Sequence, residues 1–226
     1  MLFNLIFLAV STLGAQPLHT DSIFEPKLSG RLFTMRSGII GSQFYRDDWE
    51  PADIRLLTGD TVRNKLLKYD VLLDEVIWWY KDSMREVELE KGSVDEFWFR
   101  NGKSDAIHFR KIRARLPGMA DSTEVFVQVL IEKAAALYVF RKVRAEGSVN
   151  RVEKGVLCSF DLIVPDPLYM ICFPDGKSIY LRKTRKRLLL KALPEEYAAN
   201  VKQIIQKNHL SVHSEKDLTA LAGMIN

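Results

Sequence analysis

The chain has 226 residues, 47% of them hydrophobic, and a formal net charge of +4. That length and apolar fraction exclude wholesale disorder and provide enough buried surface to fold without disulfides or metals. Only Cys158 and Cys172 occur, which excludes a disulfide framework and a thiolate metal site.

The first ten residues, Met1 to Val10, read MLFNLIFLAV, and Ser11 to Gln16 turn small and polar before Pro17. This is an apolar run of signal-peptide length with a cleavage point after Ala15. It is too short, and too interrupted by Asn4, Ser11 and Thr12, to cross a hydrocarbon core that needs about 20 apolar residues. Residues 1–15 therefore read as a signal peptide, with a buried N-terminal helix or strand as the competing reading. Export places the expected site of action in the periplasm, at the outer-membrane periphery or outside the cell. Residues 16–38 read as an irregular leader, and residues 39–226 as one β-rich domain with a C-terminal helical segment over 184–226.

From Asp53 onward the pattern is strand after strand. Ile54 to Leu57 runs into a hairpin turn at Thr58-Gly59-Asp60-Thr61, where Gly59 can take positive φ. Leu66 to Leu73, Val76 to Tyr80, Val87 to Leu89, Glu96 to Arg100 and Ala106 to Ala114 continue the series, with Asn101-Gly102 as a tight-turn signal. Val125 to Ile131 carries apolar residues on both faces and pairs with Ala136 to Phe140. Residues 145–154 read as a loop, and Gly155 to Val164 with Leu168 to Phe173 as a hairpin. A tip at Val164 to Asp166 would set Cys158 opposite Cys172, although two buried free thiols are the preferred reading. Pro174-Asp175-Gly176-Lys177 then turns the chain into Ile179 to Arg182.

The last forty residues change period. Thr184 can cap a short helix carrying Leu188, Leu189, Leu190 and Leu193. Pro194 at a first helical position, followed by Glu195 and Glu196, starts a second helix with Tyr197, Val201, Ile204 and Ile205 on one face. Ser214 and Asp217 resemble a capping pair for a third, bearing Leu218, Leu221 and Ile225. About ten strands with short turns followed by three short helices define an α+β protein. Its expected core is an antiparallel meander, curved or rolled into a partly open barrel, with the helices over one face or one mouth.

Gly41-Ser42-Gln43-Phe44, Asp48-Trp49-Glu50-Pro51, Gly59-Asp60, Leu67-Lys68-Tyr69-Asp70 and the closing Asp217 to Leu221 helix form a recognisable succession. It resembles a group of exported proteins common in Bacteroidota, over nearly the whole chain from Gly41. The resemblance implies export and a sheet followed by helices. It carries over no activity, ligand or functional residue.

Two features remain as candidate contact surfaces. Seven basic residues and no acid lie between Lys177 and Lys191, which leaves the rest of the chain at net −3. Lys177, Arg182, Lys183, Arg185, Lys186 and Arg187 form the candidate patch for an anionic envelope component, against the plainer reading of a solvated edge. Trp78, Trp79 and Trp98 are candidates for an apolar groove, against the plainer reading of burial on both faces. Nucleic acid is an unexpected partner, because export separates the chain from it and Tyr180 is the patch's sole aromatic.

No sequence motif for catalysis, metal or phosphate binding occurs, and no cofactor is assigned. His108 reads as a half-buried strand residue, and His209 with His213 lacks further ligands nearby. The leading expectation is an exported, non-catalytic envelope protein with a binding or assembly role. A carrier of an apolar ligand in a β cavity closed by the C-terminal helices is the alternative. A hydrolase using carboxylates or His108 is the third.

Overall fold

The computed structural model describes residues 28–100 and 106–225, so the expected signal peptide, the first part of the leader, His19 and the Asn101-Gly102 turn lie outside the described residues. Two short strands come first, β1 (Gly30–Leu32) and β2 (Ile39–Ile40). A four-stranded meander follows, made of β3 (Glu50–Leu56), β4 (Thr61–Asp70), β5 (Glu75–Tyr80) and β6 (Arg85–Leu89). A second comprises β7 (Val94–Phe99), β8 (Ile107–Ala114), β9 (Thr123–Glu132) and β10 (Ala136–Phe140). Then come β11 (Val143–Glu153), β12 (Val156–Pro165), β13 (Leu168–Cys172) and β14 (Ser178–Leu181). The helices α1 (Lys186–Ala192), α2 (Glu195–Lys207) and α3 (Glu215–Ala222) close the chain.

The protein is α+β, and its main sheet has eleven strands in the order β1-β6-β5-β4-β3-β7-β8-β9-β10-β13-β14. Among the described residues there are fourteen strands, more than the ten or so expected. The sheet stays open, with β1 and β14 as its edges. It is nevertheless strongly curved. β6 and β7 lie four places apart, about 19 Å along a flat sheet. Only residues 90–93 link them, and that link is a tight turn in which the Ser93 amide donates to the Glu90 carbonyl over 2.9 Å. The strands between must therefore curl until β6 and β7 adjoin.

The concave face of the curl holds the aromatic core. Tyr69, Trp78, Phe97, Phe109 and Phe126 are all but fully buried there with Ile54, Leu67 and Val87. A polar clasp fixes the curl at its far side. The Tyr69 hydroxyl donates to Asp74 Oδ1 over 2.6 Å, Lys91 Nζ lies 2.6 Å from Asp74 Oδ2, and the Phe126 amide donates to Asp74 Oδ1 over 3.2 Å. The β4–β5 turn is thereby tied to β9. Further along the same sheet, Leu137, Val139, Tyr169, Ile171, Ile179 and Leu181 pack against Leu189, Val201, Ile205, Leu218 and Leu221 of the helices. The helices thus cover one sheet face, and the space between is filled by side chains.

Several expectations are corrected. The strand expected through Leu73 ends at Asp70, whose carboxylate accepts from the Leu72 and Leu73 amides over 2.9 and 3.0 Å and turns the chain. Part of the expected leader is strand: β1 pairs with β6, and a Cβ at Gly30 would lie 2.2 Å from the Glu88 carbonyl oxygen, so only glycine permits this approach. Of the expected loop over 145–154, all but the turn residue Lys154 is strand, because its hydrogen bonds go to β12. β12 consequently does not pair with β13, and Cys158 faces Arg151 while Cys172 faces Ala136 and Ser178. Both thiols are free, and both are partly exposed where burial was expected. Thr184 is not the cap of α1. Its hydroxyl donates to the His213 carbonyl, and Arg185 holds the cap position without a side-chain bond. Pro194 stands one place before α2, as its cap residue. Ser214 caps α3 as expected, accepting from the Asp217 amide over 3.1 Å.

Candidate functional site

The β11–β12 hairpin stands apart from the main sheet. Its ten cross-strand pairs run from Val143 opposite Pro165 to Glu153 opposite Val156. At the usual strand rise of about 3.4 Å per residue, the ribbon is about 35 Å long. Its tip is a two-residue turn in which Lys154 and Gly155 both have positive φ, at +50° and +81°, as the tightest hairpins require. Only the base is anchored. There β2 pairs with β12 in parallel over Asp161–Leu162, the Asp161 amide donates to the Gly38 carbonyl, and Ile163 is buried. From Arg144 to Glu153 every residue of β11 is exposed.

The two faces of the ribbon differ. A bulge at Glu146 shifts the register, so Arg144 and Val164 share a face with Gly147, Val149, Arg151 and Glu153. The same face carries Val156, Cys158, Phe160 and Leu162 of β12, an apolar row at period two. The opposite face carries Ser148, Asn150, Ser159 and Asp161, with Val152 and Leu157 near the tip. Val152, Val156 and Leu157 are 62–70% exposed. A lone two-stranded ribbon is marginal in water, so exposed Val and Leu along one weakens it unless another surface covers them. At its base a cleft of about 350 Å³ opens between ribbon and body, lined by Phe44, Tyr45, Arg141, Val143, Ile163 and Pro165 among others.

The basic patch lies along β14, an edge strand of the main sheet, and the start of α1. Lys177 pairs with Asp175 and Glu196, and Arg182 Nη1 lies 3.0 Å from Asp166 Oδ2, so these two are neutralised locally. Lys183, Arg185, Lys186 and Arg187 are exposed between β14 and the start of α1. No carboxylate among the described residues pairs with these four. They leave a short uncompensated run of positive charge.

The three tryptophans do not form one groove. Trp78 points into the aromatic core. Trp79 is half-buried on the opposite face with its ring centroid 5.7 Å from that of Trp49. Trp98 sits three strands away on β7, where His108 stacks on it at 5.1 Å. Beside that stack lies a feature that residue types alone do not reveal. Glu96, 2% exposed, accepts from His108 Nε2 over 2.7 Å and Arg110 Nε over 3.2 Å, and pairs with Arg55 at 2.5 Å. Arg110 continues to Glu132, which also accepts from the Tyr138 hydroxyl. His108 is thus one member of an ion-pair lattice that staples β3, β7, β8 and β9 together.

The clasp at the β4–β5 turn is the most perturbed electrostatic site. Burial raises the Asp70 and Asp74 carboxyls and lifts the Tyr69 hydroxyl well above its ordinary range. Burial, aided by the Glu88 and Asp74 charges against the pull of Lys91, lifts Glu75 to about 7. Tyr69, Asp70 and Asp74 tie the turn to its surroundings through hydrogen bonds, with Lys91 also 5.6 Å from the Phe126 ring centroid. Among the described residues, no cluster of three or more metal-ligating side chains occurs. No helix there is long and apolar enough to cross a membrane.

The chain matches no protein-family model, no curated protein and no solved structure.

Proposed function

We propose that the protein is an exported, non-catalytic envelope component whose role is assembly, with the β11–β12 ribbon as its docking element. The observation that carries this reading is the ribbon itself: about 35 Å of amphipathic hairpin, anchored at one end and bearing exposed Val149, Val152, Val156 and Leu157. Hairpins exposing apolar rows and unpaired edges recruit another surface, because strand edges add strands. The uncompensated charges of Lys183, Arg185, Lys186 and Arg187 favour an anionic envelope component as a second contact. The apolar run before Ala15 supports export.

Shortening the ribbon tests the reading. Replacing residues 149–160 by a two-residue turn keeps Ser148 opposite Asp161 and leaves the β2 pairing and the main sheet intact. The shortened protein should melt as the full chain does. In size-separated native envelope extracts it should run as the free protein, where the full chain runs larger. A shortened protein that still runs in the larger species removes the ribbon from assembly and overturns the reading.

A further inference from the structure

The ribbon's outer strand points to its own partner. We infer that β11 pairs edge to edge with β11 of a second copy, in antiparallel register centred on Val149, giving one four-stranded sheet across a two-fold axis. This rests on the docking role proposed above and names the occupant. Among the described residues β11 is the outer strand of the three-stranded sheet, and one side of its backbone is open to a further strand.

Symmetry restricts the registers. A two-fold axis perpendicular to a sheet keeps each face on its own side, so paired residues must come from the same face. Centring on Val149 meets this along the whole strand, because the bulge at Glu146 shifts the face at the one place needed. Val149 then meets Val149, Gly147 meets Arg151, Ala145 meets Val152, and Arg144 meets Glu153. The last pair occurs twice and joins opposite charges, and the bulged Glu146 comes beside Arg151. A Cβ built on Gly147 would meet nothing within 4 Å, so the long Arg151 side chain of the second copy has room to lie across it. Val152, 70% exposed in the single chain, gains an apolar neighbour.

The register centred on Asn150 sets Glu153 against Gly147 and forfeits the Arg144–Glu153 pairs, and two other nearby registers are penalised by charge. Centring on Ser148 sets Arg144 against Arg151, and centring on Arg151 sets that guanidinium against its own copy. Like charges directly opposite destabilise a strand pair. In the Val149 register the rows containing Phe160 and Leu162 of both copies lie on one face, flanking the central Val149 pair and the charged pairs on either side of it.

The test uses the full mature chain with Cys158→Ser and Cys172→Ser. Directly opposed residues of antiparallel strands have Cα atoms about 4.5–5.5 Å apart, inside the range for a disulfide. Val149→Cys should therefore give a covalent dimer on mild oxidation, and Val152→Cys, facing Ala145, should not. The parent should sediment as a dimer at sub-millimolar concentration. Glu153→Arg should shift it to monomer, and adding Arg144→Glu should restore both dimer and cross-link, since each pair is then reversed. A parent that stays monomeric, or a dimer that Val149→Cys does not trap and Glu153→Arg does not weaken, overturns self-pairing. A monomeric purified chain that still runs large in extracts, and only with its ribbon intact, sinks self-pairing alone and leaves the docking role standing.

Discussion

Phe97 has no exposed surface and contacts four rings, those of Tyr69, Phe99, Phe109 and Phe126, with centroids 4.9–5.6 Å away. Removing it opens a cavity inside the curl, where the sheet backbone cannot collapse to fill it. Phe97→Ala should cost about 3–5 kcal/mol in denaturant melts, the range for fully buried aromatics. Trp79 is half-buried against Trp49 on the other face, and Trp79→Ala should cost less than half as much. Equal losses at the two sites would contradict the assignment of faces. Glu75 offers a different handle. Its carboxyl is raised from 4.5 to about 7, so between those values the folded chain holds a proton that the unfolded chain releases. Its contribution to stability is complete below pH 4.5 and is lost as the pH rises through 7. Glu75→Gln should flatten the fall in melting temperature across that window and raise stability above it. An unchanged pH profile would show that the carboxyl is better solvated than its neighbours imply.

At the scale of elements, α1 begins with Lys186 and Arg187, and no acid lies in its first turn. Positive charge there opposes the helix dipole, so these residues do not contribute to helix stability. Changing Arg185, Lys186 and Arg187 together to Gln should leave the melting temperature unchanged or slightly higher. The same change should weaken salt-sensitive binding to vesicles rich in anionic lipid. Equal binding of both forms at low salt, where surface charge acts most strongly, would reduce the stretch to a solubilising edge. The ribbon shows where reading by element fails. β11 carries Gly147, Ser148 and Asn150, residues that mark loops when counted locally. They are tolerated in this strand because it is solvent-exposed and no core selects its side chains. With 145–154 read as a loop, the strand bearing Val156, Cys158, Phe160 and Leu162 has only β13 as a sequence neighbour, whereas the tight Lys154-Gly155 turn pairs it with β11. The capping of α3 by Ser214 was legible because that bond spans three residues.

For the whole molecule, legibility follows the range of the interactions. Strand after strand in short alternating runs defined an antiparallel α+β fold, and the periods of Tyr197, Val201, Ile204 and Ile205 defined α2 and its buried face. A curved or partly rolled meander was expected, but where the curl tightens was not legible, since that depends on a four-residue link joining strands four places apart. Glu96 was equally hidden: its partners Arg55, His108 and Arg110 come from two other strands, β3 and β8, and no spacing in one dimension marks them as neighbours. The tryptophans illustrate the converse. Adjacent in the sequence, Trp78 and Trp79 fall on opposite faces, so one joins the core and the other does not.

The clasp also sets an order on the chain's own maturation. Tyr69 and Asp74 complete their bonds only on the backbone of Phe126, more than fifty residues later. Until β9 is present, Asp74 and Lys91 have no lid, and the aromatic face of β3 to β7 has no Phe109 or Phe126 against it. The first meander therefore cannot settle as an independent unit while the rest of the chain is still to come. Closing loops of that length before contacts reward them is slow. A chain built this way gains its first settled core only once β9 has joined it.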